Sequence, residues 1–217
     1  MEREFDSPRE VYLKLLEVVA NEERSPELLE YEEAVIECMM EQVQHMQNII
    51  SQYSNQLERF CIEQHRLELE RLRFIINKYL RNRLTKIEKY SETLIRLVQN
   101  DQTRAKQMMS LAEIKYLDTY FMSIENYLGE TVLGKLEIPI LDRVHTFSQL
   151  ELPQTEQNRF NTTYVLVKAN NQTNVVVESD DNNQHESVTM DPGTIHFLPY
   201  STVRHHILKN SGDVELM

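Results

Sequence analysis

Between residues 8 and 136 the apolar side chains recur every three or four positions, whereas beyond residue 159 they gather in short β-branched runs. The first pattern predicts helices. Ser7, Pro8 and Glu10 form a capping box with proline in the first turn, so a helix is expected to run to about Ala20. Ser25-Pro26 repeats the arrangement and opens PELLEYEEAVIECMMEQVQHMQNII. There Leu28, Val35, Met39, Met46 and Ile50 share one face, with Glu30, Glu33, Glu37 and Glu41 mostly elsewhere. The methionines read as core filling. A third helix is expected from about Asn55 to Val98. At 1.5 Å per residue it spans roughly 60 Å, so it packs along several partners or breaks near its middle. Ser110 and Glu113 form another capping box ahead of Leu111, Ile114, Leu117, Phe121, Ile124 and Leu128, predicting a fourth helix to about Leu136.

The pattern then changes. EIPILDRVHTFSQLELPQTEQ, from Glu137 to Gln157, has two prolines and no sustained period, and reads as a linker. RFNTTYVLVKAN (159–170) and TNVVVES (173–179) read as strands. Asp180–Ser187 reads as a polar loop, and Asp191-Pro192-Gly193-Thr194 fits a type II turn. IHFLPY is expected to be a strand, and VELM a short one. His205 and His206 fall in a turn or short helix. The fold class is therefore α+β. An N-terminal all-α bundle with long helices occupies 1–145, a linker 146–158, and a small β domain 159–217. A β domain of that size is marginal alone and is expected to lean on a neighbour.

Charge sharpens this picture. The formal net charge is -12, and it is uneven. Residues 1–60 carry 14 acidic and 5 basic side chains, residues 61–100 carry 5 and 9, and residues 101–217 carry 16 and 9. An acidic protein repels a phosphate backbone, so DNA contact is expected to be weak or indirect unless a local basic patch overcomes the handicap. Cys38 and Cys61 make no disulfide framework and fit a reducing compartment. The charged start MEREFDSPRE shows no signal peptide, and no apolar run is long enough for a membrane helix. A soluble intracellular protein is expected.

Little catalytic chemistry is visible. Gly129, Gly134, Gly193 and Gly212 are too scattered for a phosphate loop, so ATP hydrolysis would come from a partner, and no cofactor or small-molecule substrate is expected. Cys61 and His65 have metal-ligand spacing, with Cys38 and His45 as further candidates, but no CxxC or HExxH supports zinc. No nucleophile stands in a recognisable elbow. Ser7 and Ser25 precede prolines, but capping accounts for them.

The basic patch is RLRFIINKYLRNRLTKIEKY, 71–90, with seven Lys or Arg against one Glu. On a helical wheel Leu69, Leu72, Ile76, Tyr79, Leu80, Leu84, Ile87, Tyr90, Leu94, Leu97 and Val98 form one apolar stripe. Arg71, Lys78 and Lys89 lie nearly opposite, flanked by Arg81 and Lys86. A solvated face is the ordinary reading of these five, with phosphate or an acidic protein as alternative contacts. Arg73 and Arg83 fall inside the stripe. A buried guanidinium needs a carboxylate or a row of carbonyls, unless the side chain snorkels to the rim. Phe74 and Ile75 lie off the stripe, implying cover on a second side, to be supplied by another chain.

ELERLRFIINKYLRNRLTKIEKY (68–90) resembles the most characteristic helix of the Sld-five family of GINS subunits, eukaryotic DNA replication factors, and SPELLEYEEAVIECMMEQVQHM (25–46) resembles that family's second helix. The resemblance implies a nuclear, non-catalytic subunit of a heterotetramer with three sister GINS subunits, each with a helical and a β domain. It further implies that the complex joins the MCM ring and the Cdc forty-five protein in the CMG helicase at replication forks. Long helices would pack against sister subunits, and the β domain would help assembly. Arg73, Tyr79, Arg83 and Ile87 match the family pattern in type. They are expected at subunit interfaces together with Leu72, Phe74, Ile76 and Leu216. The competing expectations are a stand-alone helical nucleic-acid-binding protein using the basic face of helix 61–98, and a small enzyme or metal protein.

Overall fold

The computed structural model describes residues 7–53, 58–131, 163–178, 185–209 and 212–217. The linker expectation falls on 137–157, outside them.

Helix α1 runs Pro8–Arg24. The Ser7 Oγ accepts from the Glu10 N–H at 3.3 Å, and Pro8 occupies the first turn, where its missing N–H costs nothing. The helix ends where Ser25 turns extended ahead of Pro26, as a residue before proline is driven to do. Helix α2 runs Glu33–Tyr53, not from Pro26 as the second cap-proline pair predicts. The intervening 26–32 is irregular, and a different set of donors takes its carbonyls. Those of Pro26, Glu27 and Leu29 accept from Tyr90, Lys86 and Arg83 respectively. Leu28 and Leu29 meanwhile pack into two different clusters.

Helix α3, Arg59–Lys89, is 31 residues long, about 47 Å at 1.5 Å per residue. It stops at Tyr90, whose backbone leaves helical geometry (φ -108°, ψ 21°) while its phenol donates to the Pro26 carbonyl at 2.6 Å. The expected single helix to Val98 is thus two, since α4 follows at Ser91–Asn100. A short α5, Gln102–Met108, was not anticipated; Asp101 caps it, accepting from the Arg104 N–H at 3.0 Å. Helix α6, Leu111–Thr131, opens on the expected capping box. The Glu113 N–H donates to Ser110 Oγ at 3.2 Å, and the Ser110 N–H to Glu113 Oε2 at 2.9 Å.

Two apolar clusters hold the helices. Val11, Leu15, Val35, Met39, Leu69, Ile76 and Tyr79 join α1, α2 and α3. Ile87, Leu94, Met109 and Leu117 join the far end of α3 to α4 and α6.

In the C-terminal part, β1 (Tyr164–Ala169) lies between β4 (Ile195–Pro199) and β5 (Val214–Leu216), both antiparallel to it. β2 (Thr173–Glu178) and β3 (His185–Met190) form a separate hairpin. β3 begins inside the segment expected to be a polar loop, of which 180–184 lie outside the described residues. The Asp191–Thr194 turn is type II as predicted: the Thr194 N–H donates to the Asp191 carbonyl, and Gly193 takes φ 84°. Helix α7, Tyr200–Leu208, supplies Tyr200, Val203 and Ile207 to the domain core and contains His205 and His206.

The neighbour this domain leans on is its own helical domain. The Leu216 N–H donates to Asn21 Oδ1 at 2.8 Å, and Arg24 donates to the Leu216 carbonyl at 3.3 Å. Leu216 is buried within the chain, so its expected place at a subunit interface is corrected: its side chain has no surface left to offer.

Candidate protein interface

Arg83 sits at the centre of the helical domain with no exposed surface. Its five N–H donors meet five acceptors. Nε and Nη2 grip Glu113 at 2.7 and 3.2 Å. Nη1 reaches Glu22 Oε2 at 3.1 Å and the Leu29 carbonyl at 2.8 Å. Nη2 also reaches the Met108 carbonyl at 2.7 Å. The rings of Tyr31 and Tyr79 flank the guanidinium at 5.2 and 5.6 Å. Only arginine presents five donors in a fixed planar fork, which is why this residue type stands here. The sequence expectation of carboxylates and carbonyls holds, but the partners belong to the same chain. Arg83 is therefore corrected from subunit contact to internal tie, and burial within the chain likewise removes Ile76, Tyr79 and Ile87 from any intersubunit surface.

Lys86 was expected on the solvated flank. Its ammonium instead donates to the Glu22 carboxylate at 2.7 Å, to the Glu27 carbonyl at 2.8 Å and to the Glu22 carbonyl. Burial pushes its pKa below the ordinary lysine value, with Glu22 partly offsetting this. Arg83, Lys86, Glu22 and Glu113 form a buried cluster of balanced charge. Burial also holds the Tyr79 phenol well above its ordinary pKa, with the nearby Arg83 pulling the other way.

The rest of the basic face divides. Lys78 pairs with Glu23 at 2.7 Å. Lys89 lies over the Tyr90 ring at 5.5 Å. Arg71, Arg81 and Lys89 are exposed. With Lys86 half-buried and Lys78 paired, those three are the cations this face leaves exposed. Arg73 follows the alternative set out for it: its long stem carries the guanidinium to the rim, where it donates to Glu70 at 2.8 Å and to Gln47 at 2.7 Å.

The outer side of α3 is mostly polar but carries three exposed apolar side chains. Phe60, Leu67 and Phe74 are 68%, 70% and 68% exposed, and they stand seven residues apart. That spacing lines them up along one side of the helix, the arrangement that accepts a second helix. Phe74 is thus uncovered, as its off-stripe position predicts, while Leu72 and Ile75 are half-buried against the first cluster. Phe60 and Leu67 were missed by the sequence reading, although the seven-residue step was there to be counted. Leu111 and Met122 of α6 are exposed as well. Among the described residues no group of three His, Cys, Asp or Glu side chains converges to hold a metal ion. No helix of the described residues is long and apolar enough to cross a membrane.

Comparison with known families gives this architecture a relative in each half. Residues 10–132 match the family described as the GINS complex protein helical bundle domain, and residues 161–217 match the DNA replication complex GINS protein SLD5 C-terminus. The chain belongs to the SLD5 family of GINS proteins. DNA replication complex GINS protein SLD5 of Xenopus laevis is 30% identical over 218 residues, covering 100% of this chain and 94% of the relative. The Homo sapiens protein of the same name is 29% identical over 213 residues, covering 97% and 91%. That of Arabidopsis thaliana is 26% identical, covering 91% and 86%. Both SLD5 regions are therefore present in this chain, and the helical one contains the Arg83 cluster and the Phe60–Leu67–Phe74 line.

Proposed function

We propose that the chain is a non-catalytic subunit of a GINS complex, acting in DNA replication in the nucleus with three sister subunits. Through that complex it joins the MCM ring and the Cdc forty-five protein in the CMG helicase. The observation that carries this reading is the uncovered Phe60–Leu67–Phe74 line in a chain matched end to end by SLD5 relatives. Large apolar side chains in a row on a monomer's surface mark a place where another protein sits. The lone nucleic-acid-binding alternative loses its main support, because the basic helix gives Lys86 to the interior and Lys78 to Glu23. Affinity purification of the tagged full chain from nuclear extract tests the reading. Three companion subunits are expected to co-purify in equal amounts, and a monodisperse monomer carrying none of them overturns it.

A further inference from the structure

Among the described residues, the β domain has a surface that is left unfinished. β1 and β4 pair so that Tyr164 faces Pro199 and Leu166 faces Phe197. The Tyr200 N–H donates to the Thr163 carbonyl, and the Ala169 N–H to the Thr194 carbonyl. Hydrogen-bonded and non-hydrogen-bonded pairs alternate along an antiparallel ladder. Leu198 and His196 therefore bond inward to β1, and the backbone groups of Ile195 and Phe197 point away from it. Among the described residues no strand lies beyond β4. The same two residues expose their side chains on the outer sheet face, where Leu166 joins them and Tyr164 stacks on Phe197 at 5.2 Å. The other edge is closed, since Asn21 and Arg24 of α1 take the N–H and carbonyl of Leu216 in β5.

An edge with unpaired N–H and carbonyl groups beneath apolar side chains is a template for an added strand. We propose that a companion subunit supplies that strand: an extended, non-acidic segment with apolar side chains at alternate positions, paired along β4. The inference rests on the reading of the chain as a complex subunit and names one contact within it. A second copy of this chain is the poorer occupant. Self-pairing centred on Phe197 sets Ile195 opposite Pro199, which has no N–H to give. Two chains of net charge -12 also repel.

Hydrogen exchange on the full chain, coexpressed and purified with its three companion subunits, tests this. Within the assembled complex the Ile195 and Phe197 amides are expected to exchange within about tenfold of the His196 and Leu198 amides, which bond to β1. Ile195→Pro removes one outward donor while sparing the inner ladder, as edge prolines do. It is expected to reduce recovery of the four-subunit complex about tenfold, the factor that one lost hydrogen bond of ~1.4 kcal/mol represents, with Leu198 protection unchanged. An assembled complex in which Ile195 and Phe197 exchange more than about tenfold faster than Leu198 overturns the proposal and leaves the subunit reading standing. So does wild-type recovery of Ile195→Pro, or a complex with two copies of this chain joined at β4. If no complex assembles, both readings fall together.

Discussion

At the scale of single residues, Arg83 decides most. Removing it leaves Glu113 charged and buried without a cation and Glu22 with Lys86 alone, and breaking a buried pair in this way costs about 3–5 kcal/mol. Arg83→Met is expected to lower the urea midpoint of the purified complex by an amount of that order. Arg83→Met combined with Glu113→Gln is expected to recover part of the loss, because Glu22 keeps Lys86 and no charge is stranded. Arg83→Lys is expected to fare poorly too, since an ammonium has three donors for five acceptors. The need for partners was legible in the sequence, because the wheel put Arg83 among leucines and isoleucines. Their identity was not: Glu22 and Glu113 lie 61 and 30 residues away, beyond any local periodicity. Arg73 also fell inside the stripe, on its other flank between Leu80 and Leu84, and had the opposite outcome, because it lies on the α2 side where Gln47 and water are within reach of its stem.

The tyrosines add a pH dependence. Burial raises the phenol pKa of Tyr31, Tyr79 and Tyr200 above the ordinary 10.0. A raised folded-state pKa means that the stabilisation is complete below pH 10 and is lost as pH climbs above it. Lys86, lowered from 10.5, works in the other direction and offsets part of this. Thermal unfolding followed from pH 8 to 11 is expected to show falling stability above about pH 10. Tyr200→Phe is expected to flatten that fall while costing about 1–2 kcal/mol at neutral pH, because its hydroxyl bonds Glu27 and Ser25.

At the scale of elements, the helices were read correctly where caps and periodicity agree, as at Ser7 and Ser110. The reading failed at Ser25-Pro26, where a good local start signal is overruled. Residues 26–32 give their carbonyls to cations and a phenol from α3 and its end, a use that no helix propensity encodes. The same segment ties the two domains together. Glu27 accepts from Arg204 Nε at 2.6 Å and Nη2 at 2.8 Å, and from the Tyr200 hydroxyl at 2.8 Å. Arg204 is partly exposed, so Arg204→Ala is expected to cost only about 1 kcal/mol overall. Its effect belongs to docking: hydrogen exchange is expected to quicken in β5 and α7 while the α1–α3 core is unchanged.

At the scale of the whole molecule, the proposed docking role rests on the surface. Leu67→Glu and Phe74→Glu place charges on a face that is already wet in the lone chain, so the fold is expected to be spared. Assembly is expected to suffer: recovery of companion subunits on the tagged chain should fall at least tenfold for the double substitution, while Lys78→Ala should leave it unchanged. Equal recovery of the double variant and wild type in that assay would sink the docking role given to α3.

The balanced cluster around Arg83 also governs how the protein behaves in brine. Near 1 M salt an electrostatic influence reaches only ~3 Å through solution. Exposed bonds such as Lys78 to Glu23 fade there, but dissolved ions have little access to the buried Arg83, Glu22 and Glu113. Concentrated salt should therefore strip away neighbours attached by charge alone while the helical body keeps its shape, giving a clean way to sort greasy attachments from ionic ones.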